Sequence, residues 1–333
     1  MDDPKKNTSE WAIQHGEIMQ SYNIVRPIRS SLKWTSYLAR DKSGAKVTLT
    51  YIDRERIVEH YQIIAFQNGT AIETAQAEAA RYVEEYEKNL IDSVERIRGL
   101  GNAHVAATHG WSHDKERNQL VIVSEYAPGV DLAYAAQKLN PKQLIYIFTQ
   151  VLDGLTYIHQ NGFLHLNVKP TRIHIDFEAD TPSAKLTDFG LAVPMTGNKG
   201  EYAGTALYMA PEVILNQSDR IGARADLYSL GVTMYNALTG RQPLEHRVDA
   251  RSDKPRLAQI VNEEHDVTTP PAHYNRAIPA ELNEIILGLL RKDPEKRTYD
   301  NADDLANAFR EYWPNETLEM SPEGTSNLSS FSV

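Results

Sequence analysis

Between residues 70 and 100 the chain carries one long apolar stripe, with Ile72, Ala75, Ala79, Val83, Tyr86, Leu90, Val94 and Ile97 recurring at steps of three and four. That spacing places them on one face of an α-helix, and such a face has to be buried against another element. The sequence on either side reads as strands. Residues 22–51 hold short β-rich runs, ending in Val47-Thr48-Leu49-Thr50-Tyr51 after the turn Asp41-Lys42-Ser43-Gly44, and Val121-Ile122-Val123 follows the helix. The order predicts an antiparallel meander with one prominent helix packed on it.

Beyond residue 140 the pattern turns helical. Asn140-Pro141 caps a helix with the stripe Leu144, Phe148, Val151, Leu155 and Ile158, and Asn161-Gly162 ends it. Further helices are predicted over 225–238, 281–290 and 302–312. The fold class is therefore α+β and bilobal: a small β-rich N-lobe with one helix, then a larger, mainly helical C-lobe, the boundary falling near 125–129. Residues 1–20 read as a polar N-terminal extension with a helix around 11–19, residues 21–127 as the N-lobe, 128–313 as the C-lobe and 314–333 as a Ser-, Glu- and Asn-rich disordered tail.

Composition excludes several function classes. With 333 residues and 41% hydrophobic side chains the chain can fill a large core, and its net charge of -10 argues against a nucleic-acid partner. It has no cysteine, hence no disulfide, thiolate metal site or cysteine nucleophile, which fits a cytoplasmic setting. No apolar run approaches the roughly 18 residues of a membrane span, so no membrane association is expected. The histidines, including His109 with His113 and His165 with His174, show no metal-ligand spacing, and no metal site is assigned.

Four segments then occur in a telling order: Leu186-Thr187-Asp188-Phe189-Gly190, Leu207-Tyr208-Met209-Ala210-Pro211-Glu212, Ala225-Asp226-Leu227-Tyr228-Ser229-Leu230-Gly231, and 293–297. Together they resemble the signature series of Ser/Thr-type protein kinases, over roughly residues 22–313. The resemblance implies structural roles for several residues. Glu212 and Arg297 match a buried ion pair, Asp226 matches an acceptor for the catalytic-loop backbone, and His165, Phe189 and Ile97 match a stacked spine.

The same resemblance marks parts that are replaced. Phosphoryl transfer depends on positioning and charge neutralisation around the nucleotide phosphates. Arg29, Ser31 and Trp34 stand at the three glycine positions of the phosphate-covering loop, and Thr50 stands at the lysine of the Val-Ala-Ile-Lys pattern. The helix glutamate that pairs with that lysine falls at Ser93, with Asp92 or Glu95 fitting only after a shift of register. The catalytic loop reads His165-Leu166-Asn167-Val168-Lys169-Pro170, so its general base is an amide, while Lys169 is kept. Arg172 replaces the metal-binding asparagine, and Asp188 is the one metal ligand left; the two are expected to form an ion pair, with the guanidinium in place of magnesium. Leu166 replaces the arginine that grips a phosphorylated activation loop.

Taken together these replacements imply a pseudokinase that is not an enzyme, a scaffold or allosteric regulator binding a protein partner such as an active kinase. No cofactor is expected, though ATP binding without magnesium is compatible with the vestigial pocket Arg29, Ser31, Lys33, Trp34, Glu125 and Ala127. The alternatives are a nucleotide-binding switch, a weakly active Ser/Thr kinase, or an atypical transferase with compensating residues. Lys33 is the better compensating lysine, because Lys46 lies ~13 Å up the strand from Thr50. The long helix and the segment before it, residues 61–69, form a candidate docking surface, and Gly204-Thr205 resembles a Ser/Thr-class peptide platform.

Overall fold

The computed structural model describes residues 21–31, 33–67, 70–178, 181–188, 192–195, 205–243, 261 and 269–314. The extension over 1–20, most of the tail, and Phe189, Gly190 and Gly204 lie outside them. The chain divides into two compact units, one of residues 21–101 with Ala106–Tyr126, the other of Asn102–Val105 with Ala127 onward. The mixed α+β class is observed, with an antiparallel sheet in the first unit and a mainly helical second unit.

In the first unit, β1 (Tyr22–Ser30), β2 (Trp34–Asp41), β3 (Lys46–Ile52), β4 (Thr108–Asp114) and β5 (Gln119–Glu125) form one sheet in the order β1-β2-β3-β5-β4. Alternation does the sorting. Val47, Leu49 and Tyr51 of β3 turn inward to a core with Ala39, Val121 and Val123, while Thr48 and Thr50 face the other way, half-buried. Among the described residues the unit has a second helix beside the one expected: α1 (Arg54–Gln67) precedes α2 (Ile72–Ile97). Residues 61–69 were legible only as a segment before the long helix. Ile57, Tyr61 and Ala65 do repeat every four residues along the inner face of α1, but exposed Ile63 and Phe66 blur that periodicity.

In α2 the apolar stripe is buried from Ala75 onward, with Ala75, Ala79, Val83, Leu90, Val94 and Ile97 inside and Tyr86 half-buried, whereas Ile72 at its start, expected on the same buried face, is exposed. One member of the buried face is a carboxylate, Glu87. It sits in the step between Val83 and Leu90 and pairs with Arg54 at the start of α1, which ties the two helices together.

The second unit is organised on α3 (Pro141–Gln160), α4 (Ala223–Thr239), α5 (Ala280–Leu289) and α6 (Ala302–Tyr312). The start of α3 is fixed reciprocally: Asn140 Oδ1 accepts from Gln143 N at 3.0 Å, and Asn140 N donates to Gln143 Oε1 at 2.9 Å. A three-stranded sheet of β6 (Val130–Asp131), β7 (Ile173–Asp176) and β8 (Ser183–Leu186) carries the segments on either side of the candidate site. Gly129 (φ +83°) leads into β6, and a Cβ there would lie 1.9 Å from the Ile175 carbonyl oxygen, so only glycine fits. Among the described residues no helix is long and apolar enough to cross a membrane.

The Glu212–Arg297 pair is buried and bidentate, with Arg297 Nη1 2.6 Å from Glu212 Oε1 and Nη2 2.8 Å from Oε2. Arg297 also donates to the carbonyls of Arg224, Arg291 and Lys292, so all its charge is met inside the protein. Removing one partner leaves the other charged and dry. Glu212→Ala should cost about 3–5 kcal/mol in chemical denaturation, and Glu212→Met with Arg297→Met together should recover most of it.

Candidate functional site

The site residues of the second unit are held from below by one carboxylate. Asp226, near the start of α4 and fully buried, accepts from His165 N at 2.8 Å, Leu166 N at 2.7 Å and His159 Nε2 at 3.0 Å. Burial works against its charge, but the hydrogen bond and proximity of His159, with the His165 amide, more than offset this and hold its pKa below the usual carboxylate range. The loop can therefore be strained. Leu166 keeps φ at +52°, a left-handed conformation that side chains disfavour.

His165 continues the chain of contacts. Its Nδ1 accepts from Asn167 N at 3.2 Å, leaving Nε2 to donate to the Thr187 carbonyl at 3.2 Å. Complete burial pushes the imidazole pKa down, so it stays neutral. Asn167, at the base position, is buried with the loop. Two residues on, Lys169 Nζ donates to Thr205 Oγ1, joining the catalytic loop to the activation segment.

The expected Arg172–Asp188 ion pair is present. Arg172 lies at the end of a short 3-10 turn, Pro170–Arg172, with its side chain 5% exposed, and its guanidinium contacts the Asp188 carboxylate. Their backbones are already joined, because the Arg172 carbonyl accepts from Thr187 N at 2.8 Å and Thr187 Oγ1 at 3.2 Å. Asp188 takes φ +60°, a second strained position beside the first. This donor set does not fit a resident magnesium ion, which needs several oxygen ligands in octahedral array. Arg172 offers only donors, and among the described residues no three His, Asp or Glu side chains gather to hold a metal.

In the first unit the aligned positions have other uses. Thr50 Oγ1 is 2.8 Å from Ser36 Oγ across the β2–β3 pair. Ser31 Oγ accepts from Lys33 N and Trp34 N, both at 3.3 Å, so a side chain in the turn takes up amides of the kind a glycine loop leaves for phosphate. Arg29 is on β1 opposite Ser36. Glu125 at the end of β5 accepts from Ala107 N at 3.0 Å, and Ala127, which opens the second unit, is buried. Ser93 is half-buried on α2. Of the shifted alternatives, Asp92 is exposed, and Glu95 accepts from Trp111 Nε1 at 2.7 Å.

Lys33 is clamped by tyrosines. Its Nζ donates to Tyr82 Oη at 2.9 Å and lies 5.4 Å and 4.9 Å from the ring centroids of Tyr82 and Tyr86. Tyr61 of α1 packs against Tyr82 in turn, with ring centroids 5.2 Å apart. Burial pushes the Tyr86 phenol pKa well up, so it remains a neutral ring for the cation to rest on.

Sequence reasoning missed two features, the Arg54–Glu87 pair and the tyrosine clamp. The first had a readable signal, an acid on an otherwise apolar stripe. The second had none, because the residues meet only through the fold.

With this geometry in place, comparison with known proteins identifies the family: residues 61–308 match the protein kinase domain, and the chain belongs to that family. The match starts within α1, downstream of β1, β2 and β3, the strands that carry Arg29, Trp34 and Thr50. Among relatives, serine/threonine-protein kinase ULK3 of Xenopus laevis is 29% identical over 215 residues, covering 63% of this chain and 43% of that protein. Serine/threonine-protein kinase PknB of Mycobacterium tuberculosis is 32% identical over 198 residues, covering 57% and 30%. A probable serine/threonine-protein kinase of Clostridium acetobutylicum is 30% identical over 226 residues, covering 64% and 32%. The chain thus spans less than half the length of these relatives. All three are named as kinases, which corrects the expectation of a non-enzyme.

Lys33→Ala should cost about 1 kcal/mol and speed amide hydrogen exchange in the 30–35 turn. Tyr82→Phe, which keeps the ring and drops the hydroxyl, should show a smaller part of both effects.

Proposed function

We propose that this chain is a serine/threonine-type protein kinase domain of low turnover, which engages nucleotide without a resident magnesium ion. The observation that carries the reading is the contact of Lys169 Nζ with Thr205 Oγ1. It couples the catalytic loop to the Ser/Thr-class peptide platform, so the part of the site that presents an acceptor hydroxyl is assembled. The loop beneath it is fixed by Asp226.

The deficit is on the charge side, and its size can be bounded. In a loose transition state the bond from the γ-phosphorus to the bridging oxygen is largely broken before the acceptor oxygen bonds, so the acceptor's proton leaves late. Asn167 can orient that hydroxyl but cannot take its proton, which passes to solvent or a phosphoryl oxygen. Loss of a positioned base costs on the order of 10²–10⁴ in rate, and this lowers turnover without abolishing it. Arg172 supplies a permanent positive charge beside Asp188, a stand-in for part of the electrostatic work usually done by a metal.

The test is phosphate transfer from labelled ATP to serine- and threonine-containing acceptor peptides. Asn167→Asp should raise the rate by about 10²-fold, and Asp188→Ala should reduce it to background by removing the carboxylate that holds the Arg172 guanidinium in position. A wild-type rate no higher than that of Asp188→Ala, with no gain in Asn167→Asp, would contradict the proposal.

A further inference from the structure

Helix α1 has two faces of different character. Ile57, Tyr61 and Ala65 turn inward, whereas Glu55, Glu59, Ile63 and Phe66 fall within about 80° of one another on the opposite side and are exposed. Ile63 is 56% and Phe66 66% exposed. Thr70 N donates to the Ala65 carbonyl at 3.0 Å, and Ile72, 61% exposed, opens α2 with Glu73 next in sequence. Of seven large apolar side chains exposed among the described residues, three therefore lie within ten positions, at the joint of two helices. Scattered singly they would need no explanation, but Ile63 and Phe66 share one exposed face of α1 with Glu55 and Glu59 and form a patch with them.

We propose that this face of α1 docks an amphipathic helix of a partner protein, one that carries Lys or Arg beside its apolar stripe. Charge selects the occupant. Glu55 and Glu59 share the face with the apolar residues, and Arg56, next to Glu55 in sequence, is already engaged by Asp53 at 3.1 Å. A second copy of this chain would set the same acids against themselves, and an anionic membrane surface would be repelled. A basic amphipathic helix buries the apolar side chains and pairs with the acids, the usual form of helix-on-helix recognition.

The probe is a synthetic leucine–lysine amphipathic helix, labelled and titrated against the whole chain, with a leucine–glutamate helix of equal apolar content as its counterpart. The leucine–lysine helix should bind and weaken as salt is raised. The double variant Ile63→Ser with Phe66→Ser should lose at least about tenfold in affinity, while Tyr134→Ser with Tyr312→Ser, which removes exposed rings elsewhere, should leave it unchanged. All four positions are exposed, so both variants should melt close to wild type. Equal binding to the wild type and the Ile63/Phe66 variant would overturn the proposal as attraction to bulk negative charge. So would absence of binding, preference for the leucine–glutamate helix, or self-association or sedimentation with phosphatidylserine vesicles that the same variant removes.

Discussion

Asp226 is the point from which the candidate site is built. Its carboxylate is buried, ionised and filled by three donors, two of them consecutive backbone amides of the catalytic loop. A buried charge is tolerable only when it is satisfied in this way, and the satisfaction is mutual: the amides of His165 and Leu166 have no other place to go in a dry interior. With them fixed, the left-handed backbone of Leu166 follows. Lys169 then reaches Thr205, and Arg172 is carried to Asp188 by the Thr187 bonds. Glu212 and Arg297 do the same for the end of the activation segment.

The parts of the molecule that handle charge have been rearranged rather than emptied. Arg172 and Asp188 neutralise each other, Thr50 and Ser36 share a hydrogen bond, and Lys33 is held by Tyr82 and Tyr86. In each of these three the side chain meets a partner within the fold.

The sequence made legible whatever depends on short-range pattern. The α2 stripe, the Asn140 capping box and the alternation in β3 each follow from spacing alone, and the Glu212–Arg297, Asp226 and Arg172–Asp188 contacts followed once the motif series set which residues meet. Helix α1 was hidden because Ile63 and Phe66 are apolar yet face outward, which breaks the rule that periodicity rests on. The clamp on Lys33 was hidden for a different reason: Lys33 and Tyr82 are 49 residues apart, and nothing local couples them. The names of the relatives count against reading each replaced residue as a lost function, because the cost of each depends on what its neighbours still supply.

The central claim is that the Arg172 guanidinium holds the place a divalent cation would take beside Asp188, and calorimetric titration of ATP with and without magnesium addresses it directly. The account predicts binding in chelator as tight as with magnesium, to within a few-fold. Affinity that appears only with magnesium, by about tenfold or more (~1.4 kcal/mol), would contradict it.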